Sequence, residues 1–265
     1  MVKTASSLPP LPSYKQPPVV EVSFGVIFKR LDQMQTRHMG QFWGEHQAEY
    51  PTSEDLAPLL DLADIEPQRL IVMESPPLRR MMCYSADKQY VAQIQDSRVH
   101  LNWRKLIPEN QYPRYPQVHD KYQRLWQEFQ NFIKREQVGE ISPSRFELTY
   151  YNHIELGRDV AASLEQHIKL FRFSPIQASY LSPPESVNIV WKFAMPNQMG
   201  TGTVTLTNGT NQQGQNLLLL NLTCAGTPSE KYKEADWYEA AHEWIVRSFT
   251  ELTTDQAHQK WGREK

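Results

Sequence analysis

Apolar and polar residues begin to alternate at residue 20. Val20, Val22, Phe24, Val26 and Phe28 are separated by Glu21, Ser23 and Gly25, the period of two that buries one face of a strand. Apolar positions three and four apart follow (Leu31, Met34, His38, Met39, Phe42, Trp43) and predict a helix. Residues 50–68 carry Pro51, Pro58 and Pro67 around Leu56, Leu59, Leu60 and Leu62, which predicts loop with one short helix. Residues 79–84, 89–95 and 98–105 are strand-like and are separated by Ser85-Ala86-Asp87 and Asp96-Ser97. Beyond Pro108, Pro113 and Pro116 runs an amphipathic helix with Val118, Tyr122, Leu125, Trp126, Phe129, Phe132 and Ile133 on one stripe.

Gly139 and Pro143 break the chain, and the same order of elements then recurs. Phe146, Leu148, Tyr150 and Ile154 mark a second opening strand, and Ala161, Leu164, Ile168 and Phe171 a second short helix. Residues 187–193, 203–207 and 217–224 predict three more strands, and Trp237, Ala241, Trp244, Ile245, Ser248, Phe249 and Leu252 a closing helix. Ser-Pro-Pro precedes the meander in both halves, at Ser75-Pro76-Pro77 and Ser182-Pro183-Pro184. The pattern predicts an α+β fold of duplicated β-α-β-β-β-α units, residues 19–140 and 141–254. A Pro-rich flexible tail (1–18) precedes them and a polar tail (255–265) follows.

One apolar stripe per helix and one apolar face per strand are buried together when long helices pack on one side of an antiparallel sheet. In topology alone this resembles the saddle of the TATA-box-binding protein and the helix-grip folds. Such a sheet leaves its other face free. Across a turn at Asp96-Ser97, paired residue numbers sum to 193, so Gln95 opposes Arg98 and Gln93 opposes His100. Val99, Leu101 and Trp103 then face the helices, and Arg98, His100, Asn102 and Arg104 line a polar, cationic outer face. Lys105, Arg114, Lys121 and Arg124 extend the basic stretch, with Tyr112 and Tyr115 between them. Asn152 falls in the inward register of the second opening strand, where an amide pins backbone or lines a pocket.

The chain has 265 residues, of which 40% are hydrophobic and 22% charged, enough apolar material for a core. Its formal net charge of -2 supplies no global field for nucleic acid or membrane. No apolar run is long enough to span a bilayer and the N-terminus lacks an apolar signal region, so the sequence reads as cytoplasmic with no membrane partner. Two cysteines, Cys83 and Cys224, are too few for a disulfide framework or a cysteine zinc site.

Catalytic motifs fail on spacing. His242-Glu243 has no second histidine four residues on, and His38 and His46 are eight apart. Gly200-Thr201-Gly202-Thr203 lacks the Gly-Lys that a phosphate loop requires and reads as a hairpin turn. Glu21 and Glu147 stand at equivalent places in the two opening strands, where outward-facing strand residues suffice to explain them. No catalytic residue, metal ligand or cofactor is assigned, and a non-enzymatic role is the expectation.

Pro17-Pro18-Val19-Val20-Glu21-Val22 with Phe24-Gly25, then Asn102-Trp103-Arg104, Tyr112-Pro113-Arg114-Tyr115, Tyr151-Asn152 and Ala241-His242-Glu243-Trp244-Ile245 with Phe249 and Trp261-Gly262, resemble a sporadically distributed, functionally uncharacterised prokaryotic protein family of about this length. The resemblance implies a stand-alone bacterial or archaeal cytoplasmic protein, and its patchy distribution a defence or toxin-antitoxin association. From the residues, the first expectation is a binding protein whose open sheet face holds a protein or anionic partner through Arg98, His100, Asn102, Arg104, Arg114, Tyr115 and Asn152. Nucleic-acid binding is the second reading. A pocket between sheet and helices, for a small ligand or substrate, is the third.

Overall fold

The first alternation of the chain becomes strand β1 (Val19–Phe28), whose Val22, Phe24, Val26 and Phe28 are all buried. The computed structural model describes residues 9–59, 78–156, 166–169, 188–211 and 214–264. After β1 come α1 (Thr36–Glu45), β2 (Thr52–Leu56), β3 (Arg80–Tyr84), β4 (Tyr90–Gln95), β5 (Arg98–Arg104) and α2 (Tyr115–Arg135). The rest of the chain forms β6 (Pro143–Glu155), β7 (Asn188–Ala194), β8 (Thr201–Thr210), β9 (Asn216–Gly226), α3 (Glu234–Leu252) and α4 (Asp255–Lys260). The fold is α+β, with every recorded strand pair antiparallel.

By internal contacts the chain divides into two compact units. The N-terminal unit is Ser23–Leu106 with Arg114–Arg145; the C-terminal unit is Phe146–Lys265 with Met1–Val22 and Ile107–Pro113. Strands β1 and β6 are each shared between the two. In the N-terminal unit the strand order is β2-β3-β4-β5-β1, and in the C-terminal unit β6-β9-β8-β7. Each opening strand thus lies beside the last strand of its own meander, the arrangement expected of a repeated unit.

In the N-terminal unit the buried stripe of α2 packs on β1 and β5. Phe24 lies 5.4 Å from Tyr122, and Phe28 lies 5.9 Å from Trp126 and 5.8 Å from Phe129, ring centre to ring centre. Helix α1 adds Phe42, 5.3 Å from Phe132. Each such side chain contributes about 1.5–3 kcal/mol of burial, so this aromatic layer anchors the helix to the sheet. Lys134 and Arg135 in the last turn of α2 complement its C-terminal dipole.

In the C-terminal unit α3 packs on β8 and β9. Gly202 is needed there: a Cβ would come within 2.3 Å of the Trp244 ring. Trp237 is fully buried and its Nε1 donates to Met199 O at 2.8 Å.

Three elements differ from the sequence pattern. The first helix starts at Thr36, where Gln35 N donates to His38 Nδ1, and leaves Leu31 and Met34 buried ahead of it. In the stretch 50–68, read as loop with one short helix, the described residues form a strand instead: β2, Thr-Ser-Glu-Asp-Leu, is exposed throughout and has no apolar face for a period of two to reveal, and residues 60–68 lie outside the described residues. The two tails are paired with each other. Lys15 N donates to Gly262 O, Gln16 N to Trp261 O and Glu264 N to Ser13 O, while Tyr14 is buried against Phe249, His258 and Trp261. Residues 255–260 are helix α4, capped by Thr254 Oγ1 accepting from Ala257 N. Most of the second short helix and both Ser-Pro-Pro segments lie outside the described residues.

Candidate functional site

Antiparallel pairing places directly opposed residues on the same side of a sheet. The register of β4 with β5 is the expected one: Gln95 opposes Arg98, Gln93 opposes His100, and Val91 opposes Asn102. Val99, Leu101 and Trp103 are buried on the α2 side. The other side carries Arg98, His100, Asn102 and Arg104, joined by Gln93 and Gln95 from β4, Arg80 from β3 and Ser23 from β1.

This face is polar but not open. Arg98 is 7% exposed, His100 8% and Asn102 7%, and Gln93 and Gln95 are also buried. Arg80, Gln93, Asn102 and Ser23 are tied to one another. Arg80 Nη1 donates to Gln93 Oε1 at 3.1 Å, Gln93 Nε2 to Asn102 Oδ1 at 2.7 Å, and Ser23 Oγ to the same oxygen at 3.3 Å. Gln95 is held by the chain that follows β2: Leu59 N donates to Gln95 Oε1 at 3.0 Å, and Gln95 Nε2 to Leu59 O at 3.1 Å. The expected open cationic surface is therefore an interior polar network, closed in part by a backbone 36 residues away in sequence.

His100 packs against β1. Its ring lies against Gly25, where an added Cβ would come within 2.3 Å of it. Burial first, and then the charges of Arg98, Arg80 and Arg145, push the His100 imidazole down to about 3, so it is neutral at physiological pH. Arg104 leaves the network at its margin, with its guanidinium 5.4 Å from the centre of the Tyr84 ring and Nη2 donating to Lys88 O. The Tyr84 hydroxyl donates to Glu54 and is pushed up to about 12, by burial first and then by that carboxylate.

The remaining sequence candidates lie elsewhere. Arg114 is exposed at the N-cap of α2, in the left-handed backbone region at φ 73°. Tyr115 is buried on the helix side, 5.6 Å from Phe24 and 5.0 Å from His119. Asn152 is buried in the C-terminal unit, where Nδ2 donates to O of its opposed residue Leu220 at 2.9 Å; this is the backbone-pinning role. Of the seven candidates, four converge and three do not.

The C-terminal unit has the open surface. Opposite α3, the register brings Thr201, Thr203, Thr205 and Thr207 of β8 beside Ala225, Thr223, Asn221 and Leu219 of β9. Those β9 residues in turn oppose Glu147, Thr149, Tyr151 and His153 of β6. Lys192, Val190 and Asn188 of β7 border Thr203, Thr205 and Thr207. Thr203, Thr205, Thr207, Thr223, Asn221 and Tyr151 are half-buried, and His153, Lys192 and Val190 are exposed. Thr149 and Thr223, directly opposed, share a hydroxyl hydrogen bond of 3.0 Å. Burial, then the charges of Glu21 and Glu147, raise the Tyr151 phenol above its ordinary range. The surface is hydroxyl-rich, with carboxylates towards β6 and one lysine on β7.

One constellation carried no sequence signal. Thr253 Oγ1 lies 2.8 Å from His258 Nε2, and His258 Nδ1 lies 3.6 Å from Asp255 Oδ1. Thr253 is wholly buried and its hydroxyl donates to Phe249 O at 2.6 Å, so no substrate reaches it and its proton is committed. The arrangement joins the end of α3 to α4. An open groove of about 480 Å³ beside it, lined by Asp255, His258, Gln259, Gly262, Arg263 and Glu264, is mixed in charge.

No protein-family model and no curated protein matches the chain. It is similar to a solved structure described as Methanococcus jannaschii TBP, at 12% identity over 88% of this chain and 98% of that one, with a TM-score of 0.27. Among the described residues no helix is long and apolar enough to cross a membrane.

Proposed function

We propose that this chain is a binding protein and that its partner is a polypeptide, docked on the threonine-lined face of β6-β9-β8-β7. The observation that carries the reading is the exposure of that face. Strands β8 and β9 present Thr203, Thr205, Thr207, Asn221 and Thr223, all half-buried, to solvent, flanked by half-buried Tyr151 of β6 and by exposed Val190 and Lys192 of β7, whereas the polar face of the N-terminal unit is buried. Threonine and asparagine offer both donors and acceptors, so such a face suits main-chain and side-chain groups of a protein.

The charges weigh against a nucleic-acid partner. Phosphate contacts are made by Lys and Arg, and this face offers Lys192 against Glu147. A photo-reactive residue introduced at Thr205 should trap a discrete protein in cells, and one at Asn131, on the exposed back of α2, should not. Adding Thr203→Arg and Asn221→Arg should abolish the Thr205 product. Equal trapping at both positions, or an adduct that is nucleic acid, would overturn the reading.

A further inference from the structure

The two units also differ at their outer strands. An end strand leaves alternate backbone N–H and C=O groups without a ladder partner, and proteins blunt such strands with charge, proline or short length. β2 does so: it has five residues, is exposed throughout and carries Glu54 and Asp55. β7, the end of the strand order among the described residues of the C-terminal unit, does not. Its seven residues are Asn188, Ile189, Val190, Trp191, Lys192, Phe193 and Ala194, without proline and with one charge. Val190 is 54% exposed and Phe193 41%, both among the exposed large apolar side chains of the described residues.

We propose that β7 pairs antiparallel with β7 of a second copy of this chain, forming a two-fold dimer through a shared sheet edge. The sequence of β7 is complementary to itself in the register centred on Trp191. Ile189 then opposes Phe193 of the second copy, Trp191 opposes Trp191, and Asn188 opposes Ala194. Ile189, Trp191 and Phe193 share the α3 side, as the 6.0 Å contact of Phe193 with Trp244 shows, so that side of the junction is wholly apolar. On the threonine side Val190 opposes Lys192, and neither lysine faces the other. The contact is isologous and closes, removing both apolar edges at once. Pairing β7 with β2 of another copy would instead leave free ends and set the carboxylates of β2 beside an apolar strand.

The register makes opposite predictions for two substitutions at one exposed position. In a sedimentation-velocity concentration series on the full chain, wild type should equilibrate between monomer and dimer. Val190→Glu places a carboxylate opposite Lys192 of the other copy, twice per dimer, and should tighten the dimer about three- to tenfold. Val190→Lys sets lysine against lysine and should weaken it by at least as much. Adding Lys192→Glu to Val190→Lys should restore it. Circular dichroism should show all variants folded, since position 190 faces solvent. A monomer at every concentration, an open-ended series of sizes, a dimer insensitive to residue 190, or a shift in the same direction for Glu and Lys would each overturn the proposal.

Discussion

The sheet face turned away from α2 is built from Gln, Arg, His and Asn and is buried, while the face turned away from α3 is built largely from Thr and is wet. Both alternate with apolar positions in the same way. The difference lies in what each side chain demands. Gln93, Gln95, Arg80 and Asn102 carry several donors or acceptors each, and in the interior they satisfy one another or capture backbone, as Gln95 captures Leu59. A threonine has one hydroxyl, suits a pleated half-buried surface and needs only water or a neighbouring hydroxyl. A polar strand face is therefore not by itself a wet one.

The largest test of this contrast is charge reversal. Arg98→Glu puts a carboxylate into the buried network and should cost about 3–5 kcal/mol or prevent folding. Gly25→Ala forces a methyl group into the His100 ring and should cost about 1–3 kcal/mol in denaturant unfolding. The third effect depends on pH. His100 stays neutral in the folded chain down to about 3, whereas the unfolded chain takes up that proton near the ordinary histidine value of 6.5. The unfolded state then binds more protons, so stability should fall as pH drops from 6.5 towards 3, by up to about 1.4 kcal/mol per pH unit from this group. His100→Gln should flatten that slope. Thr205→Glu, on the open face, should change stability by less than about 0.5 kcal/mol.

Much of the fold was legible because the strands and long helices bury one face each. Residues 98–105 predicted β5 and the turn at Asp96-Ser97 fixed its register, and the α2 stripe is buried as read. β2 was not legible, because a strand exposed throughout has no alternation. The terminal pairing rests on Tyr14, one aromatic in a Pro-rich stretch, while Thr254 was an available capping signal for α4. For the candidate site, alternation identified which residues share a side but not whether that side meets solvent. The cover over Gln95 comes from Leu59, and no local period records a contact 36 residues away.

Histidine modification compares the two faces in a single sample. Diethyl pyrocarbonate should acylate His153, exposed opposite Leu219, while His100, whose Nε2 lies buried above Gly25, stays unmodified until the chain unfolds. Reaction of His100 at the rate of His153 in the folded protein would show that both polar faces are open, contradicting the distinction on which the proposed partner surface rests.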